Sequence, residues 1–246
     1  MKTYVVNLPQ SVDRRAAMEK QLARFPELEA EFVPAVDGRA MSEEEVRAAF
    51  DVQRARAYYG RDLTRGEVGC TLSHVRCYKR IAEGADRVAL ILEDDADLGT
   101  RLPDLAPLEA MLSRTRRPTV VLLSGHYWYW PGFRRELKRV FCAYYTHSYL
   151  INRPAARLLA DHFARPFHLA DNWIHVRRQG VQVLAVRPHW INQISTDATS
   201  TVGDASTVQN MRGLVKKNLS WGQLAASYYE GLMRKVLKRA GMYEGD

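Results

Sequence analysis

The feature that most constrains this chain is an apolar run that ends in acid. Val88-Ala89-Leu90-Ile91-Leu92 leads directly into Glu93-Asp94-Asp95-Ala96-Asp97. An uninterrupted aliphatic run of this length reads as a short buried strand. In an α/β sheet, the carboxyl ends of such strands are where ligands sit. Four near-adjacent carboxylates at that point repel one another. Two charges about 4 Å apart cost roughly 1 kcal/mol in water, and more beside an apolar core. Two readings are open: a solvated acidic turn, or a site for a hard divalent cation such as Mg²⁺ or Mn²⁺, which takes oxygen ligands.

The flanking sequence alternates strand and helix signals. Thr3 to Leu8 reads as a first strand, and Ser11 to Phe25 as an amphipathic helix with Met18, Leu22 and Phe25 on one face. Glu31 to Val36 reads as a second strand, closed by Asp37-Gly38. Ser42-Glu43-Glu44-Glu45 and Thr64-Arg65-Gly66-Glu67 both match capping boxes, and open helices to about Phe50 and Ala82. The second helix carries Cys70, His74, Tyr78 and Ile81 along one stripe, and its Gly66 and Gly69 indicate close backbone approach. Thr119 to Leu123 is another buried strand, and Tyr127 to Phe133 is an aromatic loop because of Pro131 and Gly132. Phe141 to Ile151 reads as a strand pair or one long strand. Pro154 opens a helix to Phe163, Asp171 to Arg178 is a short helix, and Val181 to Val186 a strand. Ser195 to Ser206 has loop composition, and the chain from Val208 onward is helical and basic. The alternation predicts an α/β sheet with helices on its faces. The expected division is one domain over 1–246, with a half at 1–125, a half at 126–207 and a basic helical tail at 208–246.

Composition sets the remaining bounds. The 246 residues are 46% hydrophobic and 10% aromatic, which supplies a packed core and excludes wholesale disorder. A formal charge of +8 suits an anionic partner: nucleic acid, a phosphorylated small molecule or an acidic membrane surface. The three cysteines, Cys70, Cys77 and Cys142, form no Cys-x-x-Cys pair, which argues against a disulfide framework or a zinc site and for a reducing compartment. No secretory signal or membrane-length apolar run is visible, so the expected location is cytoplasmic.

Three segments then line up in order. They are Val5-Val6-Asn7-Leu8 with Asp13-Arg14, then Leu63-Thr64-Arg65-Gly66-Glu67-Val68-Gly69-Cys70-Thr71-Leu72-Ser73-His74, then Leu90-Ile91-Leu92-Glu93-Asp94-Asp95. Together they resemble glycosyltransferase family 25, which includes lipooligosaccharide galactosyltransferases and collagen-modifying galactosyltransferase domains. The likeness covers about the first hundred residues and thins beyond them. It implies a GT-A-like α/β fold with a mixed, mostly parallel sheet, a UDP-sugar donor, and an acidic motif that holds Mn²⁺ or Mg²⁺. By that analogy Asp95 is the direct metal ligand, Glu93 faces the ribose or the metal, and Asp94 points away or positions the donor. Asn7, Leu8 and Arg14 then hold the nucleotide, and Thr64, Glu67 and His74 border the donor pocket.

Each of these has a plainer alternative. Arg14 can be an exposed helix charge, Thr64 and Glu67 can be helix caps, and His74 a buried hydrogen-bonded imidazole. Family 25 transfer is regarded as inverting, which requires a base for the acceptor hydroxyl. Asp171 is the candidate, against a role as helix N-cap. Trp128, Trp130 and Trp173 are candidate acceptor-stacking faces, against core packing. His189 is a candidate metal contact, against an unrelated loop histidine. Lys216, Lys217, Arg234, Lys235, Lys238 and Arg239, with Trp221, Tyr228, Tyr229 and Leu232, suit an anionic membrane surface and a glycolipid acceptor, against a solvated helix face. The competing functions are a metal-dependent nuclease or phosphohydrolase, for which no nucleic-acid-binding motif is present, and a silent saccharide- or membrane-binding relative.

Overall fold

The computed structural model describes residues 1–132, 136–145, 147–194 and 221–244, the last segment without the side chains of 221–227. The apolar run beginning at Val88 is a central strand. It is β3 (Val88–Glu93), and Val88 through Leu92 are all buried. Parallel to it lies β1 (Lys2–Asn7), itself flanked in parallel by β2 (Glu29–Pro34). The connections are helical: α1 (Val12–Leu22) joins β1 to β2. Three further helices, α2 (Glu43–Ala49), α3 (Val52–Tyr59) and α4 (Arg65–Glu83), lie between β2 and β3.

On the other side of β3 the chain returns with opposite polarity. After the two-residue β4 (Ala96–Asp97) and α5 (Ala106–Arg114) come β5 (Thr119–Leu122), β6 (His126–Trp130), β7 (Leu137–Tyr144) and β8 (Ser148–Asn152). Then follow α6 (Arg153–His162), α7 (Trp173–Arg178), β9 (Gln182–Val186), β10 (Asn192–Gln193), α8 (Trp221–Arg239) and β11 (Tyr243–Glu244). The main sheet has nine strands in the order β11-β6-β7-β9-β5-β8-β3-β1-β2, and β4 pairs separately with β10. The α/β class with a mixed, helix-flanked sheet is the one expected. Its parallel pairings are β1–β2, β1–β3 and β5–β9, and the other five neighbouring pairs are antiparallel. The sheet is therefore mostly parallel over β2-β1-β3 and mostly antiparallel beyond it.

Two apolar clusters cover the two faces of this sheet. One joins α4 and α6 to alternate residues of the strands, with Tyr78, Ile81, Ile91, Ile151 and Leu159 among its members. The other joins α1 and α5 to the intervening residues Val5, Leu90, Leu92 and Leu150. The period of two in strand side chains produces this division.

Both capping boxes form. Ser42 and Thr64 accept from the backbone N–H of Glu45 and Glu67, whose side chains return to the cap N–H groups. Gly69 packs backbone to backbone against the turn at Val36 to Gly38: a Cβ there would lie 2.5 Å from the Val36 carbonyl oxygen and 2.7 Å from the Gly38 nitrogen. The aromatic stretch expected as a loop is instead β6, because Pro131 and Gly132 end the strand rather than break it. Phe141 to Ile151 divides into β7 and β8, which are separated in the sheet by β9 and β5. The expected loop at 195–206, and Lys216 and Lys217, lie outside the described residues. No helix among the described residues is long and apolar enough to cross a membrane.

Candidate active site

The register Val6↔Glu93 brings Asn7 and Asp94 out of neighbouring parallel strands together. Asn7 donates to Asp94 through Nδ2 at 2.8 Å, and Arg14, one turn into α1, donates to the other Asp94 oxygen at 2.7 Å. Both oxygens of Asp94 are thus held by the protein, and the side chain is only 8% exposed. Burial pushes its pKa up, while the Asn7 hydrogen bond and the Arg14 charge oppose that. Asp94 positions the acidic turn, in keeping with the reading that it faces away from a ligand. Leu8 contributes its carbonyl, which accepts from Ser11 N–H at 2.8 Å and sets the entry to α1.

Asp95 is held differently. Its Oδ2 accepts from Gln193 Nε2 at 3.0 Å and lies 3.5 Å from Arg14, and its carbonyl accepts from Ile194 N–H at 2.8 Å. The β4–β10 pairing folds the 192–194 segment over the acidic turn and makes these contacts. Asp95 Oδ1 is buried and has no hydrogen-bond partner among the described residues. Such an oxygen is costly unless something cationic or protic meets it.

His147 sits close by. Its carbonyl accepts from Glu93 N–H at 2.9 Å, and its Nε2 is also buried without a partner. Burial lowers the pKa of His147, the Asp95 charge raises it, and neighbouring His189 lowers it. His189 therefore lies in the same corner, with its ring centroid 5.3 Å from that of Tyr127. A carboxylate oxygen and an imidazole left without partners among the described residues fit a divalent cation, and Asp95 and His147 are the residues that could hold it; Glu93, expected beside the metal, turns instead towards His74.

Glu93 faces the other way, into the sheet's α4 side. Its Oε1 lies 3.3 Å from His74 Nε2, and His74 Nδ1 lies 2.7 Å from the Tyr149 hydroxyl. Burial raises the pKa of Glu93, the His74 contact opposes it, and Asp95 and Asp171 raise it further. His74 is 2% exposed and hydrogen-bonded through both ring nitrogens, which matches the buried-imidazole description.

Asp171 enters the same cleft from the opposite side of the chain. The N-cap of α7 is Asn172, whose side chain accepts from His175 N–H at 3.2 Å. Asp171 is thereby relieved of capping and accepts from Tyr145 N–H at 3.3 Å. Tyr145 stands at φ 58°, a left-handed conformation uncommon for a bulky residue. Burial raises the pKa of Asp171, with His74 opposing and Glu67 reinforcing. Its influence on Glu93 places the two carboxyl groups within electrostatic reach.

Thr64 and Glu67 perform their capping role, and Glu67 is also clamped by Arg61 at 2.7 and 2.5 Å. The tryptophans do not gather at the cleft. Trp173 is 1% exposed and meets Tyr149 edge-on at 5.1 Å, so it offers no face to a sugar. Trp128 and Trp130 pack on the cluster of Phe141, Cys142, Ile174 and Leu237, with the Arg234 guanidinium 5.8 Å from the Trp128 ring. Their side chains face α8, which packs over β6, the strand next to the β11 edge of the sheet. Two contributors were not singled out as site residues from the sequence, His147 and the Asp95-binding side chain of Gln193. Gln193 falls in a stretch of weak family likeness. Nothing local marks His147, which reaches the cleft only through the β3–β8 pairing.

A family model described as "Glycosyltransferase family 25 (LPS biosynthesis protein)" matches residues 1–174. The fold is that of an α/β protein whose central strand ends in a carboxylate cluster, and the chain belongs to glycosyltransferase family 25, a family of sugar-transferring enzymes. A glycosyltransferase 25 family member from Aedes aegypti is 37% identical over 97 residues, which is 37% of this chain and 16% of that protein. Human procollagen galactosyltransferase 2 is 34% identical over 96 residues, covering 37% of this chain and 15% of its own length. The matched stretch therefore spans about a sixth of these curated relatives. Among solved structures, a protein described as a glucose-1-phosphate thymidylyltransferase from Bacillus anthracis overlaps 91% of this chain and 98% of its own, at 9% identity and a TM-score of 0.41. Overlap that loose says nothing further about the site.

Proposed function

We propose that this chain is an inverting, metal-dependent glycosyltransferase that moves a hexose from a UDP-sugar to a saccharide acceptor. Galactose is the sugar of choice, because relatives bear the name galactosyltransferase. The acceptor class follows from the family description and is a lipopolysaccharide-type glycolipid. The observation that carries the reading is the pair of oxygens on Asp95: one tethered by Gln193, the other buried and unpartnered at the end of β3.

Asp95 and His147 would hold Mn²⁺ or Mg²⁺, which would supply charge neutralisation for the departing diphosphate. The chain's own residues do the rest. Asn7 and Arg14 fix Asp94, which keeps the acidic turn in one conformation before ligand arrives. The loop after β1 then borders the nucleotide. Asp171, whose proton affinity is raised by burial, takes the acceptor hydroxyl proton during attack on the anomeric carbon. His74 and the Tyr145 N–H stabilise the neighbouring carboxylates as that proton moves.

The single-domain division fits this reading, with the donor on the β2-β1-β3 side and the acceptor approaching from the 145–172 side. On α8, Tyr228, Tyr229, Leu232 and Val236 are exposed alongside Lys235, Lys238 and Arg239. That surface suits the acidic inner leaflet of a membrane, where a glycolipid acceptor is presented to a cytoplasmic enzyme. No nucleic-acid partner is proposed.

The test is release of UDP from UDP-galactose in Mn²⁺, with and without oligosaccharide acceptors, for wild type and Asp95→Asn. Metal-dependent turnover lost in the variant supports the proposal. Equal turnover in the two proteins removes it.

A further inference from the structure

A second group of ligating atoms lies deeper in the cleft. Cys70 and His74 are one turn apart on α4, so their side chains leave the same face of the helix. They meet Glu93 at the end of β3, and one ligand atom from each of the three residues lies within 4.8 Å of the other two.

The imidazole is oriented from behind. The Tyr149 hydroxyl donates to the Tyr78 hydroxyl at 3.1 Å, so its proton is committed there. Towards His74 Nδ1, 2.7 Å away, Tyr149 therefore acts as acceptor of an N–H. The remaining nitrogen, Nε2, shares a proton with Glu93 Oε1 across 3.3 Å, and this is the proton a metal ion displaces. An imidazole nitrogen, a carboxylate oxygen and a sulfur then converge on one point. Outer partners orient metal-binding histidines in this same way. Burial pushes the Cys70 thiol well up, and the negative charges of Glu93, Asp171, Asp95 and Glu67 push it further, a field that favours a cation over a bare thiolate.

We infer that Cys70, His74 and Glu93 form a site for a thiophilic divalent ion, Zn²⁺ above all, separate from the hard-ion position at Asp95. A sulfur, nitrogen and oxygen set selects zinc over manganese or magnesium, and water completes the tetrahedron. Zinc–ligand bonds of about 2.0–2.3 Å require the three atoms to close by roughly 1 Å, within reach of side-chain rotation. Binding exchanges two protons for the metal: the Cys70 S–H bond breaks and the thiolate bonds to Zn²⁺, the proton between His74 Nε2 and Glu93 Oε1 leaves as those atoms bind, and both protons go to solvent. The absence of a Cys-x-x-Cys pair does not bear on this set, because its ligands come from a helix and a strand.

The full chain, stripped of metal by chelation, is titrated with Co²⁺ and read by near-ultraviolet thiolate-to-cobalt charge transfer. The expected band saturates at one equivalent and is displaced by Zn²⁺ but not by the same concentration of Mn²⁺. Cys70→Ser abolishes the band and weakens zinc retention on the order of 100-fold. If that variant fails to fold, Glu93→Gln serves instead, keeping the band but weakening zinc about tenfold. No band in wild type, a band that survives Cys70→Ser, or unaltered zinc affinity in Glu93→Gln overturns the inference. UDP-galactose turnover in Mn²⁺ is measured on the same wild-type preparation. Turnover without a cobalt band sinks the zinc site alone; a band without turnover sinks the transferase reading alone.

Discussion

Two regions of this molecule bury histidines, and they do so to opposite effect. In the cleft, His74 and His147 face Glu93 and Asp95, and a buried carboxylate oxygen is left for a cation. Beside α3, His162, His168 and His175 pack on one another instead. His162 and His175 share a contact of 2.6 Å between Nε2 atoms, and the His168 and His175 rings lie 3.3 Å apart. Their surroundings are Phe167 and the guanidinium groups of Arg54 and Arg178, around a hollow of about 310 Å³ with no carboxylate in its lining. Burial and neighbouring positive charge push His168 down to about 2 and His175 down to about 3. Imidazoles alone do not make a cation site; the sign of the groups facing them decides it.

The largest expected effect separates the two regions outright. Asp95→Asn lowers metal-dependent turnover by about 10³-fold, a loss of several kcal/mol of charge stabilisation. His168→Gln leaves turnover near wild type. Steady-state kinetics on both variants check this, and a comparable loss in His168→Gln breaks the distinction.

Asp171→Asn comes next, with a fall in kcat of about 10²-fold or more and little change in donor KM. A variant that loses donor affinity at unchanged kcat would move Asp171 from proton transfer to donor binding.

The histidine region should show itself in stability. For His168 and His175 the folded pKa lies below the ordinary value of 6.5. Stability is therefore full above pH 6.5 and is lost as pH falls towards the folded values. Between pH 7 and 5 the pair costs on the order of 3 kcal/mol. Glu93, Asp94 and Asp171 act with the opposite sign, since burial raises them and acid relieves that penalty. Urea denaturation at both pH values resolves the two contributions. The double variant His168→Gln/His175→Gln loses less on acidification than wild type, and an unchanged loss counts against the assignment.

The smallest effect concerns the seat of the cleft helix. Gly69→Ala costs about 2 kcal/mol, because its Cβ meets backbone atoms that have little room to yield. A melting temperature equal to wild type would show that α4 is not wedged against the Val36–Gly38 turn.

The cleft was legible in the sequence where its signals are local. The Thr64 and Glu67 cap, the stripe of Cys70, His74 and Tyr78, and the acidic end of β3 all depend on residues within a few positions of one another. The cap weighed as the alternative role for Asp171 belongs to Asn172, a one-residue difference that periodicity does not resolve. α3 went unseen because its one fully buried side chain, Ala55, gives almost no amphipathic pattern. β6 shows the alternation of a strand, with Tyr127 and Tyr129 inward, yet the following Pro131-Gly132 carried more weight. His147 and Gln193 reach Asp95 only through the β3–β8 and β4–β10 pairings. Long-range register of that kind is written in no short window of sequence.

The most direct measurement is anomalous diffraction at the manganese edge from crystals soaked with Mn²⁺ and UDP. A single peak within bonding distance of Asp95, with the diphosphate beside it, is the expected result. A peak elsewhere, or UDP bound with no peak at Asp95, contradicts a donor pocket built on the end of β3.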